Sequence, residues 1–284
     1  DGSPRNFCVG FVMNAIMGPA TAPYYTEVLN GMQLEMKSHD YHLVLGSGFA
    51  TSAEKLAYLQ RLSNTAVDGW ILADVVEEEI IAWLRDASVP TVVVGGGTVT
   101  SDLDCIYPDD TEAARQVTGH LFSLGHRRFA FVSPHSYSDS VKARLLGYRQ
   151  ALEKRGVPPE AGVVYSVGWE SEALTAWLQG TVLSGRTPTA VIALDDRQAL
   201  VLMKAAQAHG LEVPRDLSVV GFDDIPMAAL WEPPLTTVRM PMRHMGAFAF
   251  RRLLERMAHP GLPVMKMMLP VELVVRGSTA PPAR

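Results

Sequence analysis

The length and composition of the chain are those of a globular protein. Its 284 residues suit one large domain or two of ordinary size, and 48% hydrophobic with 19% charged residues exclude a disordered chain. The formal net charge of −5 argues against DNA binding by this stretch alone, because Lys and Arg carry the affinity for phosphates.

Strand-like and helix-like segments alternate through the first half of the chain. Apolar residues at helical spacing, such as Val28, Met32 and Met36, mark the first helix, and Ser52 is the predicted N-cap of the second. Repeated strand–helix–strand units predict a parallel sheet with right-handed crossovers. The predicted strands are 7–13, 41–46, 69–73, 91–94 and 104–107, and the predicted helices are 25–38, 52–64, 77–87 and 110–124.

A second set of strand–helix–strand units begins after the turn at Leu124–Gly125. The Pro-rich stretch 226–234 is excluded as a long helix, because Pro lacks the donor N–H. Two successive sets of units predict an α/β fold of two doubly wound parallel-sheet lobes with a cleft between them. The predicted strands are 129–133, 163–166, 190–194, 217–222, 235–239 and 269–275, and the predicted helices are 140–154, 171–183, 197–209 and 242–258.

The sequence does not match the motifs of catalytic, cofactor-binding or metal-binding sites. Gly46-Ser47-Gly48 lacks the third glycine of a dinucleotide fingerprint, and the three glycines at 95–97 precede a polar loop instead of a helix. The eight histidines have no metal-ligand spacing, and two cysteines exclude a disulfide framework. We therefore predict no cofactor, no metal and no enzymatic activity, and we interpret His126 as a turn residue at a helix end.

Two adjacent carboxylates, Asp223 and Asp224, end the apolar run Val219–Phe222. Ligands of open α/β sheets bind just beyond the carboxyl ends of the strands. A carboxylate there accepts hydrogen bonds from a polyhydroxylated guest. This strand end is therefore a candidate binding site.

The segment SVVGFDDIPMAALWEPPLTTVRMP, residues 218–241, resembles the effector-binding module of the lactose/galactose repressor (LacI/GalR) family of bacterial transcription regulators. Four further blocks resemble the family in the same order along nearly the whole chain. They are LGHRRFAFVSP (124–134), RLLGYRQAL (144–152), PTAVIALDD (188–196) and LPVELVVRGST (269–279).

The resemblance implies a periplasmic-binding-protein-like fold whose two lobes are joined by three crossovers, near Gly125, Pro241 and Leu269. The N-terminal lobe is then 1–124 plus 242–268, and the C-terminal lobe is 125–241 plus 269–284. The family also carries a helix-turn-helix segment of about 60 residues before this module, so we expect operator DNA to be bound through that segment and not through this chain. A homodimer with most contacts from the first lobe is expected, in which the effector controls DNA binding allosterically.

The resemblance also implies the ligand contacts of this chain. Arg144, with Gly147, matches the family's R-x-x-G anchor, and Asp223 is the first carboxylate of its Asp pair, so both are expected to bind the effector. The alternatives are an exposed salt bridge for Arg144 and a helix cap for Asp223, while Asp224 is expected to be structural. We expect Arg144→Ala or Asp223→Ala to abolish binding and leave the fold intact.

Further contacts are expected from residues beside these anchors. Asp195 stands where the family usually has Asn and is expected to accept from hydroxyl donors of the effector. Whether Asp196 caps the next helix is left open by this departure, with the cap favoured. Trp169 covers a sugar ring or packs against its lobe. The remaining candidates are Tyr24, Asp109, Ser138 and Ser140, whereas the longer loop here leaves the placement of Asn14 open.

The candidate contacts comprise carboxylates, one arginine, aromatic rings and hydroxyl groups. This set suits a neutral polyol such as a sugar better than a purine or a phosphate. The predicted function is therefore the sugar-sensing core of a cytoplasmic transcription regulator without membrane contact. A periplasmic sugar receptor shares the fold and is the first alternative; an apolar leader upstream would support it. An enzyme acting on sugars through Asp195 and Asp223 is the second.

Overall fold

A computed structural model describes residues 6–13, 23–63, 65–73, 77–95, 102–134, 138–168, 170–182 and 188–283. The chain forms two compact units, each built from two stretches of sequence. The first unit comprises Asp1–Pro108 and Pro241–Leu269, and the second comprises Asp109–Met240 and Pro270–Arg284.

Strands and helices alternate in both units, which confirms the predicted α/β fold. The strands are β1 (Cys8–Val12), β2 (His42–Gly46), β3 (Gly69–Ala73), β4 (Thr91–Val94), β5 (Asp104–Pro108), β6 (Phe129–Ser133), β7 (Gly162–Ser166), β8 (Ala190–Ala193), β9 (Ser218–Asp223), β10 (Thr236–Arg239), β11 (Lys266–Leu269) and β12 (Glu272–Val274). The helices are α1 (Pro23–Met36), α2 (Ser52–Ser63), α3 (Glu78–Asp86), α4 (Asp110–Ser123), α5 (Asp139–Glu153), α6 (Ser171–Thr181), α7 (Asp196–Ala208), α8 (Pro226–Leu230) and α9 (Met242–Ala258).

The two sheets share one strand order. The first is β11-β5-β4-β3-β1-β2 and is parallel throughout, whereas the second is β12-β10-β9-β8-β6-β7 with β12 antiparallel to β10. Central strands such as β3, β6 and β8 are buried along their whole length, which is why they appear in the sequence as continuous apolar runs. The carboxyl ends of β8 and β9 therefore lie side by side.

The predicted first boundary between lobes, at Leu124–Gly125, differs from the structure, where the chain passes into the second unit after Pro108. Helix α4 belongs to the second unit because it packs closely against α5. A side chain at Gly147 of α5 would meet the carbonyl oxygen of Thr111 at 2.1 Å. The other two boundaries follow Met240 and Leu269.

Two local features differ from the sequence prediction. The strand predicted over 269–275 is present as the shorter β12, which joins the second sheet, whereas β11, which ends at Leu269 and joins the first sheet, was not predicted. Pro270, which has no N–H to donate, lies between the two strands. The N-cap expected of Ser52 is supplied by its neighbour, because the Thr51 hydroxyl accepts from the Glu54 N–H at 3.2 Å.

His126 follows the predicted turn but is a buried hydrogen-bonding centre, which its interpretation as a simple turn residue missed. Its Nδ1 lies 2.8 Å from the Thr189 hydroxyl, and its Nε2 lies 2.9 Å from the Ala280 carbonyl and 3.1 Å from the Ser218 hydroxyl. The ring therefore ties the C-terminal tail to the second sheet, at the end opposite to the carboxyl edge.

Candidate functional site

Arg144 lies at the carboxyl edge of the second sheet and joins three elements of the second unit. It projects from α5, which begins after the N-cap Ser138, and only 7% of the residue is exposed. Nε donates to Asp110 Oδ1 of α4 at 2.7 Å, and Nη1 donates to the Leu194 carbonyl at the end of β8 at 2.5 Å. The alternative of an exposed salt bridge is therefore wrong.

The same guanidinium also faces the end of β9. Nη2 lies 3.7 Å from Asp223 Oδ1, and the guanidinium carbon lies 4.5 Å from the centre of the Phe222 ring. Attraction to the ring face adds to the ion pair. Arg144 and Asp223, predicted as the two anchors from distant parts of the sequence, thus come together.

Backbone conformation sets the two adjacent carboxylates apart. Asp223 has a φ of +107° and Asp224 a φ of +54°, a region that non-glycine residues rarely adopt. Asp224 accepts hydrogen bonds from Arg239 at 2.8 Å and from Arg276 at 2.5 Å, as expected of a structural carboxylate. Asp223 turns instead toward Arg144, and 14% of its side chain remains exposed.

The second acidic pair has the opposite arrangement from the one favoured by sequence. Asp195 is the N-cap of α7, with Oδ1 accepting from the Gln198 N–H at 2.7 Å, so Asp196 is not the cap. Asp196 is buried and accepts from the Thr237 hydroxyl at 2.5 Å and from the Ile225 N–H at 2.9 Å. It ties α7 to β10 and to the segment that follows β9.

Burial raises the pKa of three carboxyl groups around Arg144, because water is removed from the charged form. For Asp110, the positive charge of Arg144 and hydrogen bonds from Arg144 and Ser140 oppose the rise. For Asp195, the opposing interactions are led by the backbone hydrogen bond from Gln198. The pKa of Asp196 lies well above its ordinary value, because burial and then the negative charge of Asp223 both act upward.

Two further predicted ligand contacts, Asp109 and Tyr24, contact residues other than Arg144. Asp109 caps α4 by accepting from the Glu112 N–H at 2.9 Å. Tyr24 belongs to α1 of the first unit, where its hydroxyl lies 3.8 Å from Met245 Sδ and its ring packs edge-on against Tyr25. Trp169 and Asn14 lie outside the described residues.

Sequence reasoning missed Asp110, the Leu194 carbonyl and the Phe222 ring. The sequence identifies Asp110 only as the first residue of the predicted helix 110–124. Its signal was its place beside Asp109 at a strand end, the same Asp-Asp pattern that marked Asp195–Asp196 and Asp223–Asp224. A backbone carbonyl leaves no signal in sequence.

Within the described parts of the chain, no group of three or more His, Cys, Asp or Glu residues is arranged to hold a metal ion. No helix among those described residues has the length and apolarity needed to cross a membrane.

Comparison with known proteins gives the family. A family model for a periplasmic binding protein-like domain matches residues 118–279. The transcriptional repressor PurR of Vibrio campbellii is 30% identical over 261 residues, which cover 91% of this chain and 78% of that repressor. The chain belongs to the lactose/galactose repressor family of transcription regulators.

Other members of the LacI family agree with this assignment. The regulator DegA of Bacillus subtilis is 29% identical over 95% of this chain and 81% of its own length. A LacI-family regulator from Enterococcus faecium, solved with bound ribose, superposes with a TM-score of 0.85 at 26% identity, covering 96% of this chain and 99% of that one. The regulator CelR in complex with cellobiose gives 0.86 at 25% identity, covering 97% and 85%.

These relatives are regulators of transcription, not enzymes, and they do not favour the periplasmic receptor as an alternative. The predicted role as the effector-sensing core of a LacI-family regulator is confirmed at the level of the family.

Proposed function

We propose that this LacI-family core senses a neutral sugar, which binds at the carboxyl edge of the second sheet against Arg144 and Asp223. The observation that supports the proposal most strongly is the buried Arg144 guanidinium, held at the ends of β8 and β9 by Asp110 and the Leu194 carbonyl. Open α/β sheets bind ligands at this edge. The relatives solved with ribose and with cellobiose support a sugar as the effector.

The charges near Arg144 favour a neutral guest over an anion. Asp110, Asp195 and Asp223 lie around one guanidinium, whose Nε and Nη1 already donate to acceptors of the chain. A phosphorylated or carboxylated ligand would meet like charges here, whereas sugar hydroxyls donate to carboxylates. Ser140, Asp195, Asp109, Tyr24 and Trp169 stay proposed contacts of the sugar.

The proposed output is control of DNA binding by a helix-turn-helix segment carried by the full-length regulator, in the cytoplasm. The effector binds two conformations of the regulator with different affinities and thereby shifts DNA binding. Such coupling between two sites is typically worth about 1–3 kcal/mol. We also propose a homodimer, with no catalytic step. Sedimentation velocity at micromolar concentration is expected to show a dimer, and a monomer alone would contradict this part of the proposal.

A thermal-shift screen tests the sugar proposal, because a ligand that binds only the folded state raises the melting temperature. The panel contains ribose, cellobiose, other neutral sugars and their phosphates. At least one neutral sugar is expected to raise the melting temperature, and titration calorimetry then gives its affinity. Failure of every neutral sugar, or a larger shift with a sugar phosphate, would contradict the proposal.

Two matched variants locate the binding site. Arg144→Lys keeps the charge beside Asp110 but removes the planar fork of donors, so it is expected to abolish the thermal shift caused by the sugar. Arg149→Lys changes an exposed arginine on the same helix and is expected to leave the shift intact. Equal shifts in both variants would remove Arg144 from the site.

A further inference from the structure

Asp110 is the residue that fixes the Arg144 side chain. It is the first residue of α4, its side chain is 4% exposed, and it accepts hydrogen bonds from Arg144 Nε and from the Ser140 hydroxyl. We propose that Asp110 is a positioning residue, which holds the Arg144 guanidinium in the orientation that binds the effector. This inference rests on the proposed function of Arg144.

The three sides of the guanidinium are held unequally. Nε and Nη1 make short hydrogen bonds to Asp110 and Leu194, at 2.7 and 2.5 Å. Nη2 and Asp223 lie 3.7 Å apart, which exceeds the usual hydrogen-bond range of about 3.2 Å. The Asp223 side chain is also the more exposed of the two carboxylate partners. Asp110 and the Leu194 carbonyl therefore fix one edge of the guanidinium, and Nη2 is the donor that faces the more exposed carboxylate, Asp223.

Fixing that edge matters because arginine has several rotatable bonds. A free arginine side chain samples many rotamers, and an effector that binds it would otherwise have to overcome this conformational entropy. A charge-assisted hydrogen bond from a buried carboxylate removes this cost before the ligand arrives. Because Asp110 lies on α4 and Arg144 on α5, the close packing of these helices at Gly147 keeps the pair in register.

The test compares Asp110→Asn with Glu112→Gln. Both remove one carboxylate charge from α4, but the Glu112 side chain is 41% exposed, against 4% for Asp110, and pairs with Arg115. Calorimetry uses ribose, cellobiose and the panel sugar with the largest thermal shift. Asp110→Asn is expected to weaken binding by at least about tenfold at unchanged stoichiometry, because it removes a charge-assisted hydrogen bond that holds Arg144. Loss of folded protein would instead lower the stoichiometry and leave the affinity unchanged.

A second measurement uses the unaltered protein, in case Asp110→Asn does not fold. The Arg144 Nε–H signal in ¹⁵N-resolved NMR is expected to exchange slowly with water, both without sugar and at saturation, because Asp110 holds it in both states. Wild-type affinity in Asp110→Asn, or rapid exchange of this signal, would overturn the inference. If Arg144→Lys also binds sugar normally, the proposed function fails; if only Arg144→Lys loses binding, the role of Asp110 alone fails.

Discussion

Arg144 Nε lies 2.7 Å from Asp110 Oδ1, and both side chains are almost completely removed from solvent. The pair joins the start of α4 to the middle of α5, two helices that are separated in sequence by the whole of β6. Because neither charged group is solvated by water, each is stabilised mainly by its charged partner. The residue predicted as the ligand anchor is therefore also part of the core of the second unit.

Truncating Arg144 is expected to destabilise the protein, contrary to the sequence-based expectation that Arg144→Ala leaves the fold intact. Removing one partner of a buried ion pair typically costs about 3–5 kcal/mol of stability, because the other charge is left buried and uncompensated. The double variant Arg144→Met/Asp110→Asn removes both charges of the buried pair and leaves only the more exposed Asp223 without its cation, so it is expected to be more stable than Arg144→Ala. Urea unfolding measures both against Arg149→Ala. Equal stability of Arg144→Ala and the control would contradict the structural role.

The fold was largely predictable from sequence because buried parallel strands such as Val219–Phe222 are continuous apolar runs between helical patterns. The pairing of Arg144 with Asp223 followed from the family's motifs. The role of Asp110 did not, because an Asp at a helix start has the same local pattern whether it caps, pairs or faces solvent. The boundary at Pro108 was missed for a related reason: α4 is assigned to the second unit by tertiary contacts, such as its packing against Gly147, which have no local pattern in the sequence.

Asp196 is expected to make stability depend on pH. Its pKa is raised in the folded state by burial and by the charge of Asp223, so the folded protein holds this proton more tightly than the unfolded chain. Stability from this group is then full below the ordinary pKa of 3.8 and declines as pH rises through the folded pKa, by up to about 1.4 kcal/mol per pH unit.

Asp196→Asn removes that titration. An amide can donate to the Thr237 hydroxyl and accept from the Ile225 N–H, as a protonated carboxyl group does. The free energy of unfolding of the variant, minus that of the wild type at the same pH, is expected to be larger at pH 8 than at pH 4. Urea unfolding across this range checks it, and parallel stability curves for the two proteins would contradict the raised pKa.

His126 is expected to lower the stability of the protein at acidic pH, which is opposite to the effect of Asp196. Burial lowers its pKa, so its neutral form is favoured in the fold and stability is lost as pH falls below 6.5 and through the folded pKa. His126→Gln is expected to cost about 1–3 kcal/mol at pH 8, where its hydrogen bonds are lost, and less at pH 5.

The control for this variant is His259→Gln, which changes an exposed histidine. Burial also lowers the pKa of His120, whose Nε2 lies 3.0 Å from the Thr279 hydroxyl, so part of the acid sensitivity remains in His126→Gln. A cost that does not change between pH 8 and pH 5 would show that His126 does not titrate with folding.

Gly147 is expected to resist substitution because of the packing of α4 against α5. An added Cβ would lie 2.1 Å from the Thr111 carbonyl oxygen, so Gly147→Ala forces the helices apart and is expected to cost about 1–3 kcal/mol. Among the residues that the structure describes, none comes within 4 Å of a Cβ added at Gly180 in α6. Gly180→Ala should therefore stabilise by up to about 1 kcal/mol. Thermal unfolding compares the two, and equal melting temperatures would contradict the packing argument.

The most direct measurement is a crystal structure of the protein with the neutral sugar that gives the largest thermal shift. Sugar oxygens are expected within about 3.2 Å of Arg144 Nη2 and of an Asp223 carboxylate oxygen, with the Arg144–Asp110 hydrogen bond retained. A sugar bound away from both side chains, or a panel in which no neutral sugar binds, would contradict the account.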